Sequence, residues 1–280
     1  MKQVGVGLLD GVDLHGKWPQ GGGGAAVTFD HYLSEVPLLD HKCKESWRRR
    51  LAGLRNVTVT LGRPDFMLMN NEFGLGHSST YHGKWSRYQK GLAAIEFNLE
   101  LHIAGFDVAC MWDNGAGHYQ PDGTWHCSNC GDNGEGVVTT DHMMLNGLDE
   151  KTGQQLAVSE YRLNPVHHGM EMMAQAQRQE MLTVDTNGFR LHGFASRNQT
   201  TGAIQLFLIN KYNGSTAQKV RLTLPKGAVP PSSVVTLVDN AAASVQGSER
   251  WGTVRPPQKL AWVAGVCEFE LPPVSFSMLK

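Results

Sequence analysis

Hydrophobic and polar positions change their rhythm along this chain. Residues 4–14, VGVGLLDGVDL, form a short apolar run that ends in polar residues, the pattern of a short buried strand. HGKWPQGGGG follows as a loop rich in functional groups. Apolar positions then recur at helical spacing between about 29 and 55, most clearly in KESWRRRLAGL. VTVTLG and RPDFMLMN supply the β-branched and apolar residues of the next strand, which runs into Asn70, Asn71 and Glu72. SRYQKGLAAIEFNLELHIAG reads as about five helical turns with a glycine stop. FDVACMWDNG is another short strand, a polar, glycine-rich insertion spans 115–136, and PVHHGMEMMAQAQ is a helix opened by proline.

After about residue 180 the period shortens. MLTVDTNGFRLHGFAS, AIQLFLINKY, QKVRLTLP, SSVVTLVDN, KLAWVAG and CEFELPPVSFSML alternate with turn residues, the signature of an antiparallel β-sandwich. The expected fold class is therefore α/β followed by all-β, with an α/β region over 1–180 and a sandwich over 181–280. No low-complexity linker separates the two, so they are expected to pack together. The three strands of the first region end in His15, Lys17 and Trp18, in Asn70, Asn71 and Glu72, and in Trp112, Asp113 and Asn114. In a parallel (β/α) barrel the C-terminal strand ends carry the chemistry.

Composition narrows the function classes. The chain has 280 residues, 41% hydrophobic, with a net charge of −1. That charge gives no electrostatic case for nucleic acid or an anionic membrane surface. No run approaches the roughly 18–20 apolar residues of a membrane helix. The opening residues hold one lysine and a short apolar run broken by glycine and aspartate, unlike a signal peptide; a soluble protein is expected. QGGGG (20–24) lacks the Gly-Lys-Ser/Thr ending of a phosphate loop. Of the five cysteines, Cys127 and Cys130 alone are closely spaced. HCSNC fits half of a structural zinc site completed by His126, Cys110 or His118, a loop disulfide, or two unpaired thiols. No other cofactor is expected.

The order of segments DGVDLHGKW, NNEFG, FDVACMWDNG, YRLNPVHHGMEMMAQAQ and FELPPVSFSMLK resembles the C-terminal part of clan A retaining glycoside hydrolases, the group that includes arabinofuranosidases, xylosidases and some agarases. The resemblance implies a partial (β/α)8 barrel, about strands 6 to 8, followed by its C-terminal β-sandwich, acting on a carbohydrate substrate. It implies Glu72 as the nucleophile, His15 and Trp18 as sugar ligands of the sixth strand, and Trp112 as the floor of the sugar subsite. Family members are often secreted. One departure stands out: the family's acid/base, a glutamate after asparagine on the fourth strand, has no counterpart, because no other Asn-Glu precedes Glu72.

Each candidate side chain carries two readings. Retaining glycosidases need two carboxyl groups about 5–5.5 Å apart; Glu72 is either the attacking one or a capping carboxylate at a strand–loop junction. Trp18 and Trp112 either stack on a sugar face or pack in the core. His15 donates to a hydroxyl or bonds local backbone. Asn71 donates to a sugar or caps its turn, and Asp113 binds a hydroxyl or makes an Asx turn. Tyr81 belongs to an outer subsite or to a solvated loop. Three functions are in play: a retaining glycoside hydrolase lacking its acid/base, a non-catalytic carbohydrate-binding or structural protein, and a subunit completed by a missing N-terminal barrel segment, by a homo-oligomer or by another chain.

Overall fold

The computed structural model describes residues 9–14, 16–18, 29–34, 47–75, 86–111, 118–119, 125–126, 145–146, 157, 162–176, 180–187, 190–225, 227–239 and 252–280, giving the backbone alone for 16–18, 31, 47–49, 72–75, 87, 90, 111, 118–119, 125–126, 145–146, 162 and 183. Its first layer is a parallel sheet. Strands β1 (Gly11–Asp13) and β2 (Gly16–Trp18) run along β3 (Met67–Leu75), as does β4 (Val108–Met111). Met69 pairs with both Asp13 and Val108, and Phe73 with both Gly16 and Met111. Hence β1 and β2 share one edge of β3, and β4 holds the other.

The connections are helical: α1 (Phe29–Ser34) and α2 (Trp47–Thr60) before β3, and α3 (Arg87–Ala104) before β4. The helix-facing side of the sheet packs Val12, Leu14, Leu68 and Ala109 into one apolar cluster with α3. The opposite face is open. Met67 is 37% exposed there, and Asn71 and Cys110 are exposed.

Three expectations fail here: HGKWPQGGGG, read as loop, holds β2 at Gly16–Trp18; the strand expected to end at Glu72 runs on to Leu75; and VTVTLG is not strand. Val57 to Thr60 complete the last turn of α2. The Thr58 hydroxyl donates to the Arg55 carbonyl at 2.9 Å and the Thr60 hydroxyl to the Asn56 carbonyl at 2.7 Å. A helix already propagating from residue 47 adds one bond per residue, which outweighs a few tenths of a kcal/mol of unfavourable β-branched propensity.

Helix α3 is defined at both ends. Ser86 and Gln89 form a capping box, and Gly105 closes the helix in the left-handed conformation at φ 105°. It is buried on every side from Gly91 to Leu101. It meets α4 (Pro165–Ala174) where a Cβ on Gly91 would come within 2.9 Å of the Val166 amide nitrogen and of the Pro165 side chain. Gly91→Ala is therefore expected to cost about 1–3 kcal/mol by overpacking against backbone, read as a lowered urea midpoint with an unchanged m-value.

Short antiparallel pairs, β5 (His118–Tyr119) with β6 (Trp125–His126) and β7 (Leu145–Asn146) with β8 (Arg162–Leu163), lie between β4 and α4. Two antiparallel sheets follow. The larger has the order β14 (Gly252–Val254), β13 (Ser233–Asp239), β18 (Ser275–Leu279), β11 (Ile204–Asn210), β10 (Leu191–Arg197), β9 (Glu180–Thr183), with β15 (Gln258–Lys259) also on β13. The smaller is β12 (Gln218–Thr223), β17 (Val266–Leu271), β16 (Trp262–Val263). Val220, Cys267, Phe269 and Leu271 of the smaller sheet meet Leu206, Leu208, Val234 and Leu279 of the larger. The other face of the larger sheet is also covered: Phe207, Ile209, Val235, Leu237, Phe276 and Met278 pack on the helices. That double cover explains why IQLFLIN, SVVTLVD and SFSML read as nearly continuous apolar runs. The Tyr88 hydroxyl of α3 bonds the Leu237 and Val274 carbonyls at 3.1 and 2.7 Å, fastening the helix to this sheet.

Candidate functional site

The two ends of the parallel sheet differ. At the N-terminal ends of the strands, arginines stitch backbone to backbone. Arg55 donates to the Phe66 carbonyl at 2.6 Å and to Asp107 at 2.7 Å, and the same Asp107 oxygen accepts the Leu68 N–H at 2.7 Å. Arg63 reaches the Leu9 carbonyl at 2.9 Å and Asp65 at 3.1 Å. This end is tied down by polar bonds; in parallel α/β sheets the opposite, C-terminal strand ends are where ligands usually sit.

At that other end the register slips. β1 pairs Asp13 with Met69, and β2 resumes with Gly16 on Phe73, so β3 uses one more residue than its neighbour over the same span. β4 shows the same slip between Asn70 and Phe73. Both neighbours thus locate an extra residue of β3 at Asn71–Glu72. A bulge of this kind redirects side chains at a strand end. Its free N–H is satisfied across the strands: the Asn71 backbone N–H donates to Asp13 Oδ1 at 2.9 Å. Immediately below, the Leu14 N–H keeps the regular ladder with the Met69 carbonyl at 2.8 Å.

No family model and no curated protein sequence matches the chain. Solved structures do. A bifunctional glucanase-xylanase, CelM2, from a metagenome library matches at TM-score 0.53 and 16% identity over 97% of this chain and 43% of its own. An α-L-arabinofuranosidase from Thermotoga maritima, in complex with arabinose, matches at 0.52 and 14% over 96% and 52%. A further arabinofuranosidase matches at 0.53 and 12% over 96% and 52%. The chain has a glycoside-hydrolase-like fold. It spans about half the length of the structures it matches.

Of the residues singled out from sequence, Asn71 is described in full: it is exposed, and its backbone N–H is the one taken by Asp13. Glu72 follows it within β3, and Trp18 closes β2 with its backbone paired to Leu75. β4 ends at Met111, paired to Phe73. The segments that bear Glu72 and Trp18, and the strand leading to Trp112, therefore end side by side. His15, Tyr81, Trp112, Asp113, Cys127 and Cys130 lie outside the described residues, as do the side chains of Glu72 and Trp18. No helix among the described residues is long and apolar enough to cross a membrane.

Sequence reasoning passed over a second polar cluster, between α3 and the larger sheet. Glu96 of α3 is fully buried. Its carboxylate meets Lys211 Nζ at 2.8 Å and also contacts the Tyr32 hydroxyl and His192 Nδ1. Lys211, equally buried, lies 3.9 Å from the centre of the Tyr32 ring and donates to the Tyr32 carbonyl at 3.3 Å. Burial pushes the Glu96 carboxyl up, but the Lys211 charge and the His192 hydrogen bond outweigh it and hold the group at about 2. Glu96, Lys211 and Tyr32 have no exposed surface and His192 is buried, so this cluster is a joint between layers. The signal for it was Glu96 itself, a carboxylate inside the apolar run AAIEFNLELHIA.

Proposed function

We propose that the chain carries the nucleophile half of a retaining glycoside hydrolase acting on a poly- or oligosaccharide, with Glu72 as the nucleophile. In this reading residues 1–180 are about strands 6 to 8 of a (β/α)8 barrel, and 181–280 are its C-terminal β-sandwich. The observation that carries it is the bulge at Asn71–Glu72, within the central parallel strand and toward the end at which barrels hold their reacting groups. The glycoside hydrolase folds of the solved neighbours support it.

The chemistry follows from that position. The Glu72 carboxylate attacks the anomeric carbon as the glycosidic oxygen departs, forming a glycosyl ester that water then hydrolyses, so two inversions give net retention. Trp18 and Trp112 offer flat apolar faces to the sugar ring. His15, Asn71 and Asp113 bond its hydroxyls, and Tyr81 contributes to an outer subsite. The leaving oxygen needs a proton from a second carboxyl group, an aid worth roughly 10²–10⁴-fold. That acid/base comes from strands outside these 280 residues. The open sheet face favours completion in this way, since β1–β2 and β4 each pair with β3 alone among the described strands, and Met67 is 37% exposed.

The test is covalent trapping. Dinitrophenyl 2-deoxy-2-fluoro glycosides of the arabinofuranosyl, xylosyl and glucosyl series glycosylate a carboxylate nucleophile, with dinitrophenolate leaving and no proton donor needed. One of them is expected to add a single glycosyl unit, mapped by peptide mass to Glu72. Attachment elsewhere, or none once the remaining strands are supplied, refutes the assignment; sugar binding without any ester favours a non-catalytic binding protein.

A further inference from the structure

We propose that Asp13 is a positioning residue for Glu72: its carboxylate pins the backbone of the bulge that carries the nucleophile. The inference rests on the reading of Glu72 given above. In a regular parallel pair every N–H of the facing edge meets a backbone carbonyl. Here the ladder is regular up to Leu14 on Met69 and resumes at Gly16 on Phe73. The gap between is bridged by a side chain, Asp13 Oδ1 accepting the Asn71 N–H at 2.9 Å. A carboxylate acceptor makes this bond stronger than the neutral ladder bond it replaces.

The consequence is conformational. An extra residue in a strand leaves the local backbone free to settle in more than one way, because the partner strand no longer dictates its dihedrals. Fixing the Asn71 N–H selects one of them and so sets the backbone conformation of residue 72 within β3. Asp13 is on the same face of the sheet as Met69 and Val108, to which it is aligned by register, and that face is the open one. A short carboxylate at this position spans the gap from β1 without disturbing the pairing of Asp13 itself.

The experiment compares Asp13→Ala and Asp13→Asn in the full chain. The first readout is the esterification of Glu72 by the fluoroglycoside that labels it, resolved into a saturation constant and a limiting rate. The second is amide hydrogen exchange at Asn71. Asparagine keeps an acceptor oxygen; alanine removes it. Asp13→Ala is expected to lower the limiting rate roughly ten- to 10²-fold, with the saturation constant little changed. Its Asn71 amide should exchange about tenfold faster, whereas Asp13→Asn stays within about threefold of the unmodified chain in both readouts. Wild-type labelling by Asp13→Ala overturns the positioning role alone, as does equal loss in both variants, which would implicate the charge rather than the acceptor. Failure of the unmodified chain, with the remaining strands supplied, to label Glu72 while Asn71 is protected overturns the nucleophile assignment, and the positioning role with it.

Discussion

Glu96→Gln is expected to cost about 3–5 kcal/mol of stability, because it leaves the Lys211 ammonium buried without a counter-charge. Both side chains have no exposed surface, so neither water nor a rotamer change can relieve the orphan. Lys211→Met alone should cost a similar amount, stranding the carboxylate between His192 and Tyr32. The double variant Glu96→Gln with Lys211→Met should recover most of the loss, since an apolar chain of similar length fills the same space without a charge to desolvate. Urea unfolding of the four proteins measures the coupling. Losses that simply add would show that the two charges do not depend on one another, contrary to their 2.8 Å approach.

The same joint sets an acid limit. Glu96 sits at about 2 in the folded protein against 4.5 for the free side chain. Its contribution is thus fully present above about pH 4.5 and drains away as pH falls toward 2. At about 1.4 kcal/mol for each pKa unit, the stake is about 3 kcal/mol. Stability measured across that window should fall steeply in the unmodified chain and more gently in Glu96→Gln.

How much of this was visible in the residues depends on the range of the interaction. The parallel strands were legible as apolar runs, but not their ends: β3 continues past Asn70, Asn71 and Glu72 to Leu75 because β2 is there to pair with it. VTVTLG misled, because β-branched residues express a local preference that a helix begun ten residues earlier overrides. The larger sheet was legible as strands from IQLFLIN and SVVTLVD. Its second cover, the face of α3 with Tyr88 and Glu96, depends on pairs far apart in sequence. The bulge was illegible for the same reason: an extra residue in β3 exists only relative to β1, β2 and β4. Asp13 accordingly reads in the sequence only as the polar end of a short strand, because its bond to Asn71 joins residues 58 apart.

Glu72→Gly should abolish ester formation and lower turnover of the matching activated glycoside by roughly 10⁴-fold or more, the scale on which nucleophile deletions act. Removal of the side chain leaves a small space beside the anomeric carbon. Azide or formate can enter it and attack in place of the carboxylate, with dinitrophenolate leaving and needing no proton. The expected product with azide is a glycosyl azide of inverted configuration, formed at a rate that rises with azide concentration. The restored rate is read from dinitrophenolate release, and the configuration from the anomeric coupling constant. Inversion under rescue, against retention in the unmodified chain, follows from losing one of two displacements at the same carbon. A residue that merely capped the end of β3 would show neither the concentration dependence nor the change of stereochemistry, since azide would then have no vacated site from which to attack. Full activity in Glu72→Gly would remove the nucleophile from this strand altogether, and the meaning of the bulge at Asn71 would revert to sheet geometry alone.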